Sequence, residues 1–360
     1  MGRAVRVLIV DDSALVRQVL SELLSQDPTL EVVGTAADPL IAREKIRTLR
    51  PDVLTLDVEM PRMDGLAFLE ELMRIQPMPV VMVSAVTTAG CEATLRALEL
   101  GAVDFITKPR LDLRERLPEV AREVIEKVKG AARARPRRLA LPPPPPVRAN
   151  RPFAFRTTDR LIAVGASTGG TEALRVFLAA LPPDSPGVVV VQHMPERFTR
   201  AFAERLDRLC AVRVKEAGEG DRVLAGHVLV APGSHHLRVI RDGATFVVRL
   251  GGDPPVNHHR PSVDVLFESC AEAAGPNAVG VIMTGMGEDG ARGLLALRRA
   301  GGRTLAQDEV TSVVFGMPRA AIALGAAERV LPLERLAAEA LRLATSADPG
   351  RERPDAAGVG

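Results

Sequence analysis

The chain contains no tryptophan and no tyrosine, so its cores have to be built from Val, Leu, Ile, Ala and ten Phe. Cysteine is scarce as well. Cys91, Cys210 and Cys270 are far apart, odd in number and without Cys-x-x-Cys spacing, which argues against a disulfide framework and predicts three reduced, buried thiols. No apolar run reaches membrane-spanning length, and the N-terminal stretch meets Asp11 too early for the apolar core of a signal peptide. No membrane insertion and a cytoplasmic location are therefore expected. An excess of one charge is missing too: 47 Lys and Arg against 45 Asp and Glu leave a formal +2, too little to imply nucleic acid as a partner.

What is present suits a soluble protein of two or three domains, with 360 residues, 46% of them hydrophobic and 26% charged. Residues 5–109 alternate strand-like apolar runs (Val5–Val10, Glu31–Ala36, Val53–Leu56, Val80–Val83, Val103–Ile106) with amphipathic stretches beginning near Ser13, Pro39, Gly65, Thr88 and Leu111. Five such units predict a doubly wound parallel sheet in the order 2-1-3-4-5, with its ligand site beyond the carboxyl ends of the strands. Asp11 and Asp12 follow the first strand, Asp57 ends the third, Ser84 the fourth, and Thr107-Lys108-Pro109 the fifth. One Asp at a strand end is ordinarily a cap or turn residue. Three converging on one edge repel one another unless a cation joins them, and an all-oxygen set favours Mg²⁺. A lysine and a hydroxyl beside them suit a phosphoryl group.

These residues resemble the receiver domain of two-component response regulators, through Asp11-Asp12-Ser, Leu-Asp57-Val-Glu59-Met-Pro61, Gly65, Ser84-Ala85 and Phe105-Ile-Thr-Lys108-Pro109. The resemblance implies that Asp57 accepts a phosphoryl group from a histidine kinase. It also implies that Asp11, Asp12, Asp57 and the Glu59 main-chain carbonyl hold Mg²⁺, and that Ser84 and Lys108 contact the phosphoryl oxygens; Phe105 is either the aromatic that reorients on phosphorylation or a plain core residue.

A charged helix is expected from Leu111 to about Lys129, followed by an Arg-rich run and the five prolines Pro142–Pro146, which fit neither a helix nor a central strand. The expected organisation is a flavodoxin-like domain over residues 1–129, an Arg/Pro-rich linker of polyproline II character over 130–157, a second domain over 158–346 and a disordered tail over 347–360.

The second domain reads as another α/β unit, Rossmann-like with a β-hairpin around Arg241-Asp242-Gly243. Leu161–Gly165 is a strand, Thr171 onward a helix, and Gly165-Ala166-Ser167-Thr168-Gly169 between them fits the pattern of a nucleophile held on a sharp strand-to-helix turn. Any α/β protein needs small residues at such a turn, so the pattern requires a base and an acid elsewhere. His193 follows the apolar run Val188–Gln192, and Asp289 follows the strand Ala278–Met283 and a glycine turn. If the three strands are parallel neighbours, Ser167, His193 and Asp289 meet at one sheet edge. The Ser, His, Asp order differs from that of α/β-hydrolases. Gly165–Gly170 lacks the spacing of a dinucleotide or P-loop site, and the pairs His235-His236 and His258-His259 lack a third ligand at metal-binding spacing.

Gly165–Glu172, Gln192-His193-Met194-Pro195, Ala231-Pro232-Gly233, Arg260-Pro-Ser262-Val-Asp264 and Met283–Gly290 are similar to the catalytic domain of the CheB-type chemotaxis receptor methylesterases. The similarity covers residues 160–345. It implies a phosphorylation-activated protein-glutamate methylesterase and protein-glutamine deamidase. Ser167 would be the nucleophile, His193 the base, Asp289 its orienting acid, and the Met286 N–H an oxyanion donor with Thr168 close by. Methyl-accepting chemoreceptors would be the substrates, and ester hydrolysis would need no cofactor. Two other readings compete. A DNA-binding regulator would need a basic helix-turn-helix, where this half shows α/β alternation and balanced charge; a non-catalytic receiver-bearing adaptor would not need all three of Ser167, His193 and Asp289.

Overall fold

The computed structural model describes residues 3–60, 64–85, 87–108, 117–134 and 160–345. The proline tract and the expected disordered tail lie outside the described residues. The first domain comprises β1 (Val5–Val10), α1 (Ala14–Leu24), β2 (Leu30–Ala36), α2 (Pro39–Leu49), β3 (Val53–Asp57), α3 (Gly65–Ile75), β4 (Val80–Ser84), α4 (Thr88–Glu99), β5 (Asp104–Thr107) and α5 (Leu117–Arg133). The sheet order is β2-β1-β3-β4-β5, all parallel, as the alternation predicts. Every residue of β3 and β4 is buried, which is why these strands read as continuous apolar runs: helices cover both faces. Ser13, Asp38, Asp64 and Thr87 each cap a helix by accepting from a main-chain N–H of its first turn.

Helix α5 does not stop near Lys129 but continues through Gly130 to Arg133, because Ala131 and Ala134 are buried in the receiver core. The expected start at Leu111 lies outside the described residues.

The second domain comprises β6 (Leu161–Ala166), α6 (Gly170–Ala179), β7 (Gly187–Gln192), α7 (Phe198–Leu209), β8 (Arg213–Glu216), β9 (His227–Val230), β10 (His236–Asp242), β11 (Thr245–Gly251), α8 (Val263–Ala273), β12 (Ala278–Ile282), α9 (Ala291–Arg299), β13 (Arg303–Gln307), α10 (Met317–Ala323), β14 (Arg329–Leu331) and α11 (Leu333–Thr345). Seven parallel strands run β14-β13-β12-β6-β7-β9-β8, and β10 and β11 form the hairpin. Neither α10, whose first turn holds Pro318, nor the three-residue, mostly exposed β14 carries a periodic signal in the sequence. The strand carrying Ser167 sits between those leading to His193 and Asp289.

The two domains pack directly. Phe105 of β5 meets Phe198 of α7 with ring centroids 4.4 Å apart, and Leu95 and Leu98 of α4 join the same apolar cluster as Phe202 and Leu206. Glu99 pairs with Arg205 beside this seam. Cys91, Cys210 and Cys270 are all buried. Among the described residues, no helix is long and apolar enough to cross a membrane.

Candidate active site

Strand β6 ends at Ala166, and the chain turns through Ser167 into α6. The two glycines of the turn pattern act differently. Gly169 has φ 75°, a left-handed conformation that side chains resist, whereas Gly165 is a close-approach position where a Cβ would lie 2.1 Å from Val263. The backbone of Ser167 is pinned from both sides. Its N–H donates to the Thr284 carbonyl at 3.0 Å, and its carbonyl accepts from Gln192 Nε2 at 2.9 Å and from the Gly170 N–H at 2.7 Å.

His193 emerges one residue after β7, its N–H bonded to the Ala166 carbonyl at 3.1 Å, so it flanks the Ser167 turn. Its Nε2 lies 2.8 Å from Asp289 Oδ2. Asp289 is 1% exposed and accepts four further hydrogen bonds: from Asn257 Nδ2, Ser262 Oγ and the Val263 N–H at 2.7 Å each, and from the Asp264 N–H at 3.4 Å. Burial opposes its ionisation, but the hydrogen bond and charge of His193, with the donors from Asn257 and Val263, together hold the carboxyl well below the usual range. An ionised carboxylate only accepts, so Nε2 of His193 carries the proton between them. That leaves Nδ1 as the basic nitrogen. It is buried and, among the described residues, has no hydrogen-bond partner. The hydrogen bond from Ser167 is thus not formed in this arrangement, as is common where a catalytic contact tightens only with substrate.

The receiver lies over this edge. Thr168 Oγ1 donates to Asp104 Oδ2 of β5 at 2.6 Å, and Gly130 of α5 lies against Met286, where a Cβ would come within 3.2 Å of the sulfur. Among the described residues the Met286 N–H has no hydrogen-bond partner. On α5, Arg122 Nη1 meets His258 Nδ1 at 2.7 Å. Glu126, whose pKa burial raises against the charges of His258, Arg122 and His193, faces the same group. Lys127 sits over the Phe105 ring at 4.9 Å and donates to its carbonyl at 2.6 Å. Burial opposes its charge, but Asp104 and Glu123 outweigh that and hold its pKa above the ordinary value.

At the other edge of the receiver, ligand oxygens of Asp11, Asp12 and Asp57 lie within 4.8 Å of one another. Burial first, and then the charge of Asp57, raise the Asp11 pKa to about 6, and Asp11 Oδ2 is buried without a partner among the described residues. Such a set fits a hard divalent cation, which would relieve the mutual repulsion. Lys108 Nζ bonds Asp57 Oδ2 at 2.7 Å, and the Glu59 N–H bonds Asp57 Oδ1 at 3.2 Å. Ser84 is buried with its hydroxyl turned to the carbonyls of Ala85 and Gly90, 3.2 Å from each.

The CheB methylesterase family profile matches residues 162–340, and the response regulator receiver domain profile matches residues 7–118. Protein-glutamate methylesterase/protein-glutamine glutaminase 1 of Xanthomonas campestris pv. campestris is 58% identical over 351 residues, covering 95% of this chain and 98% of that protein. The chain belongs to the CheB methylesterase family. A Bordetella parapertussis relative named protein-glutamate methylesterase/protein-glutamine glutaminase is 60% identical over 336 residues, covering 92% of this chain and 95% of the relative. The crystal structure of the Thermotoga maritima CheB methylesterase catalytic domain is 38% identical, with a TM-score of 0.50, and covers 51% of this chain and 98% of that one.

Several residues of this methylesterase site escaped sequence reading. Ser262 lies inside a recognised stretch that assigns it no role, and Asn257 belongs to no motif of the sequence. Asp104 opens β5, at the end opposite the Asp57 edge, so inspecting the carboxyl ends of strands passes over it. The pairs His235-His236 and His258-His259 have no third ligand at metal-binding spacing in the sequence. Among the described residues, only Asp11, Asp12 and Asp57 form a group of three or more potential metal ligands. His259 instead stacks on His193, and His236 is tied to the Pro254 carbonyl at 3.0 Å and the Ser262 N–H at 3.2 Å.

Proposed function

We propose that this chain is a phosphorylation-activated protein-glutamate methylesterase and protein-glutamine glutaminase whose substrates are methyl-accepting chemoreceptors. Ser167 is the nucleophile, His193 its base and Asp289 the orienting acid. The observation that carries the reading is the state of His193: Nε2 is committed to an ionised Asp289, and Nδ1 is left buried and unpaired beside the Ser167 turn.

In the reaction His193 Nδ1 takes the Ser167 proton as Oγ attacks the glutamyl carbonyl. The Met286 N–H, with Thr168 nearby, holds the oxyanion. The proton then passes from His193 to the departing methoxide, methanol leaves, and water activated by the same nitrogen releases the glutamate and restores Ser167. With a glutamine substrate ammonia leaves in place of methanol.

Asp57 is the phosphorylation site, supplied by a histidine kinase. Asp11, Asp12, Asp57 and the Glu59 carbonyl would hold Mg²⁺, which when bound neutralises charge on the transferring group. Lys108 supplies a second positive charge, and Ser84 contacts the phosphoryl oxygens once its hydroxyl turns from the Gly90 carbonyl. Lys108 follows directly on β5, which also carries Asp104 and Phe105 at the interface. Movement at the phosphorylation edge therefore has a short route to the contacts covering Ser167, and phosphorylation shifts the population toward an open arrangement.

The test is methanol release from methylated receptor with and without a small-molecule phosphodonor. Wild type should respond to the donor, Ser167→Ala should be inactive, and Asp57→Asn should keep only basal activity. Release retained by Ser167→Ala overturns the nucleophile, and stimulation retained by Asp57→Asn overturns the phosphorylation site.

A further inference from the structure

Asn257 and His259 reach the triad from one tight loop, closed by paired hydrogen bonds between Val256 and His259 at 3.1 and 2.9 Å. Asn257 stands in the left-handed region, φ 50°, which asparagine tolerates better than most residues. Its Nδ2 lies 2.7 Å from Asp289 Oδ1 and 2.7 Å from Asp264 Oδ2. An amide nitrogen carries two hydrogens, so this one group gives a donor to each of two buried carboxylates that otherwise repel each other. Asp264 takes its other main donor from the Gly293 N–H at 2.7 Å, and burial raises its pKa. The His259 ring lies on that of His193 at a centroid separation of 3.7 Å and an angle of 14°. Burial, and then the charge of His193, depress its pKa to about 3, so it remains a neutral plate at any physiological pH.

We propose that Asn257 is a positioning residue of the methylesterase reaction: its amide orients Asp289 and draws negative charge away from His193, while His259 fixes the plane of the His193 ring. The proposal rests on the roles given above to Ser167, His193 and Asp289. The groups facing His193 are Asp289 by hydrogen bond, His259 by stacking and Glu126 from the receiver helix, with Lys127, His258 and Arg122 around them. Of these, the Asn257 amide hydrogen-bonds Asp289. Removing its amide leaves more of the Asp289 charge acting on His193, which favours the imidazolium.

The decisive variant is Asn257→Gly in the full chain, because glycine accepts φ 50° without strain whereas alanine does not. With phosphodonor present, kcat should fall about 10- to 100-fold, the scale of one lost hydrogen bond to a charged group, with KM unchanged. The acid limb of kcat/KM and the His193 ring signals in an NMR titration should both move to higher pH. A purely structural role for Asn257 would lower kcat without moving that titration. An unmoved His193 titration, or a kcat within about twofold of wild type, overturns the proposal. Should the glycine variant not fold, Asn257→Asp keeps the shape and backbone preference while replacing the donor by an acceptor, and the same upward shift is required of it. If wild type itself releases no methanol, the functional reading fails, and the NMR comparison still decides whether Asn257 controls His193.

Discussion

Thr168 Oγ1 donates to Asp104 Oδ2 across 2.6 Å, tying the residue after the proposed nucleophile to the last strand of the receiver. Both side chains are buried, so the bond is protected from water and joins a charged acceptor to the edge that substrate has to reach. Asp104→Ala should raise the methylesterase rate of the unphosphorylated full chain about tenfold, the population shift expected from losing one such bond in the closed arrangement alone. Methanol release without phosphodonor reads the effect. An unchanged basal rate removes Asp104 from the closing contacts.

The Glu99–Arg205 pair lies on the same seam but is far more open to solvent, with side chains 37% and 24% exposed. Such pairs contribute about 0–1 kcal/mol and are screened by salt. Arg205→Ala should therefore change the basal rate less than about fivefold, and the difference should shrink at high ionic strength. A larger, salt-insensitive effect would transfer the main closing role from Asp104 to this pair.

Gly285 packs against Ser167, the proposed nucleophile: a Cβ there would lie 2.8 Å from Ser167 Cβ and 2.2 Å from Met317 Sδ. The methionine can swing aside, whereas Ser167 is pinned by Thr284 and Gln192. Gly285→Ala should lower kcat about 100-fold by displacing Ser167, while phosphorylation of Asp57, in the other domain, proceeds normally. Full esterase activity in this variant would mean that the Ser167 turn is less constrained than its hydrogen bonds imply.

Asp289→Asn exchanges an acceptor of five hydrogen bonds for an amide that presents its own N–H groups to the same donors. The proposed mechanism predicts a fall in kcat of about 10⁴-fold. The folded pKa of Asp289 is depressed, so its ionised form stabilises the protein fully above the unfolded value of about 4, and that contribution is lost as pH falls toward the folded value. The stability deficit of the variant should accordingly be full at pH 7 and shrink below about pH 4. Denaturant titrations across this range check the sign, and a deficit that grows on acidification contradicts it.

Much of the site was legible because parallel α/β sheets place chemistry at the carboxyl ends of strands. Asp11, Asp12, Asp57 and Lys108 could be read in that way, as could Ser167, His193 and Asp289. Asn257 and Asp104 could not. One is a turn residue whose partner lies 32 positions away, and the other belongs to a different domain from the Thr168 it binds.

The two α/β units, the receiver strand order and the strand-end groups proposed to react are legible in the chain alone, because local periodicity and strand-end chemistry are written in short windows. It takes the folded chain to set β6 between β7 and β12, to turn His193 Nε2 toward Asp289, and to lay α5 and β5 over the Ser167 edge. These depend on long-range packing, in which a hydrogen bond such as Thr168 to Asp104 joins residues 64 positions apart and leaves no local pattern.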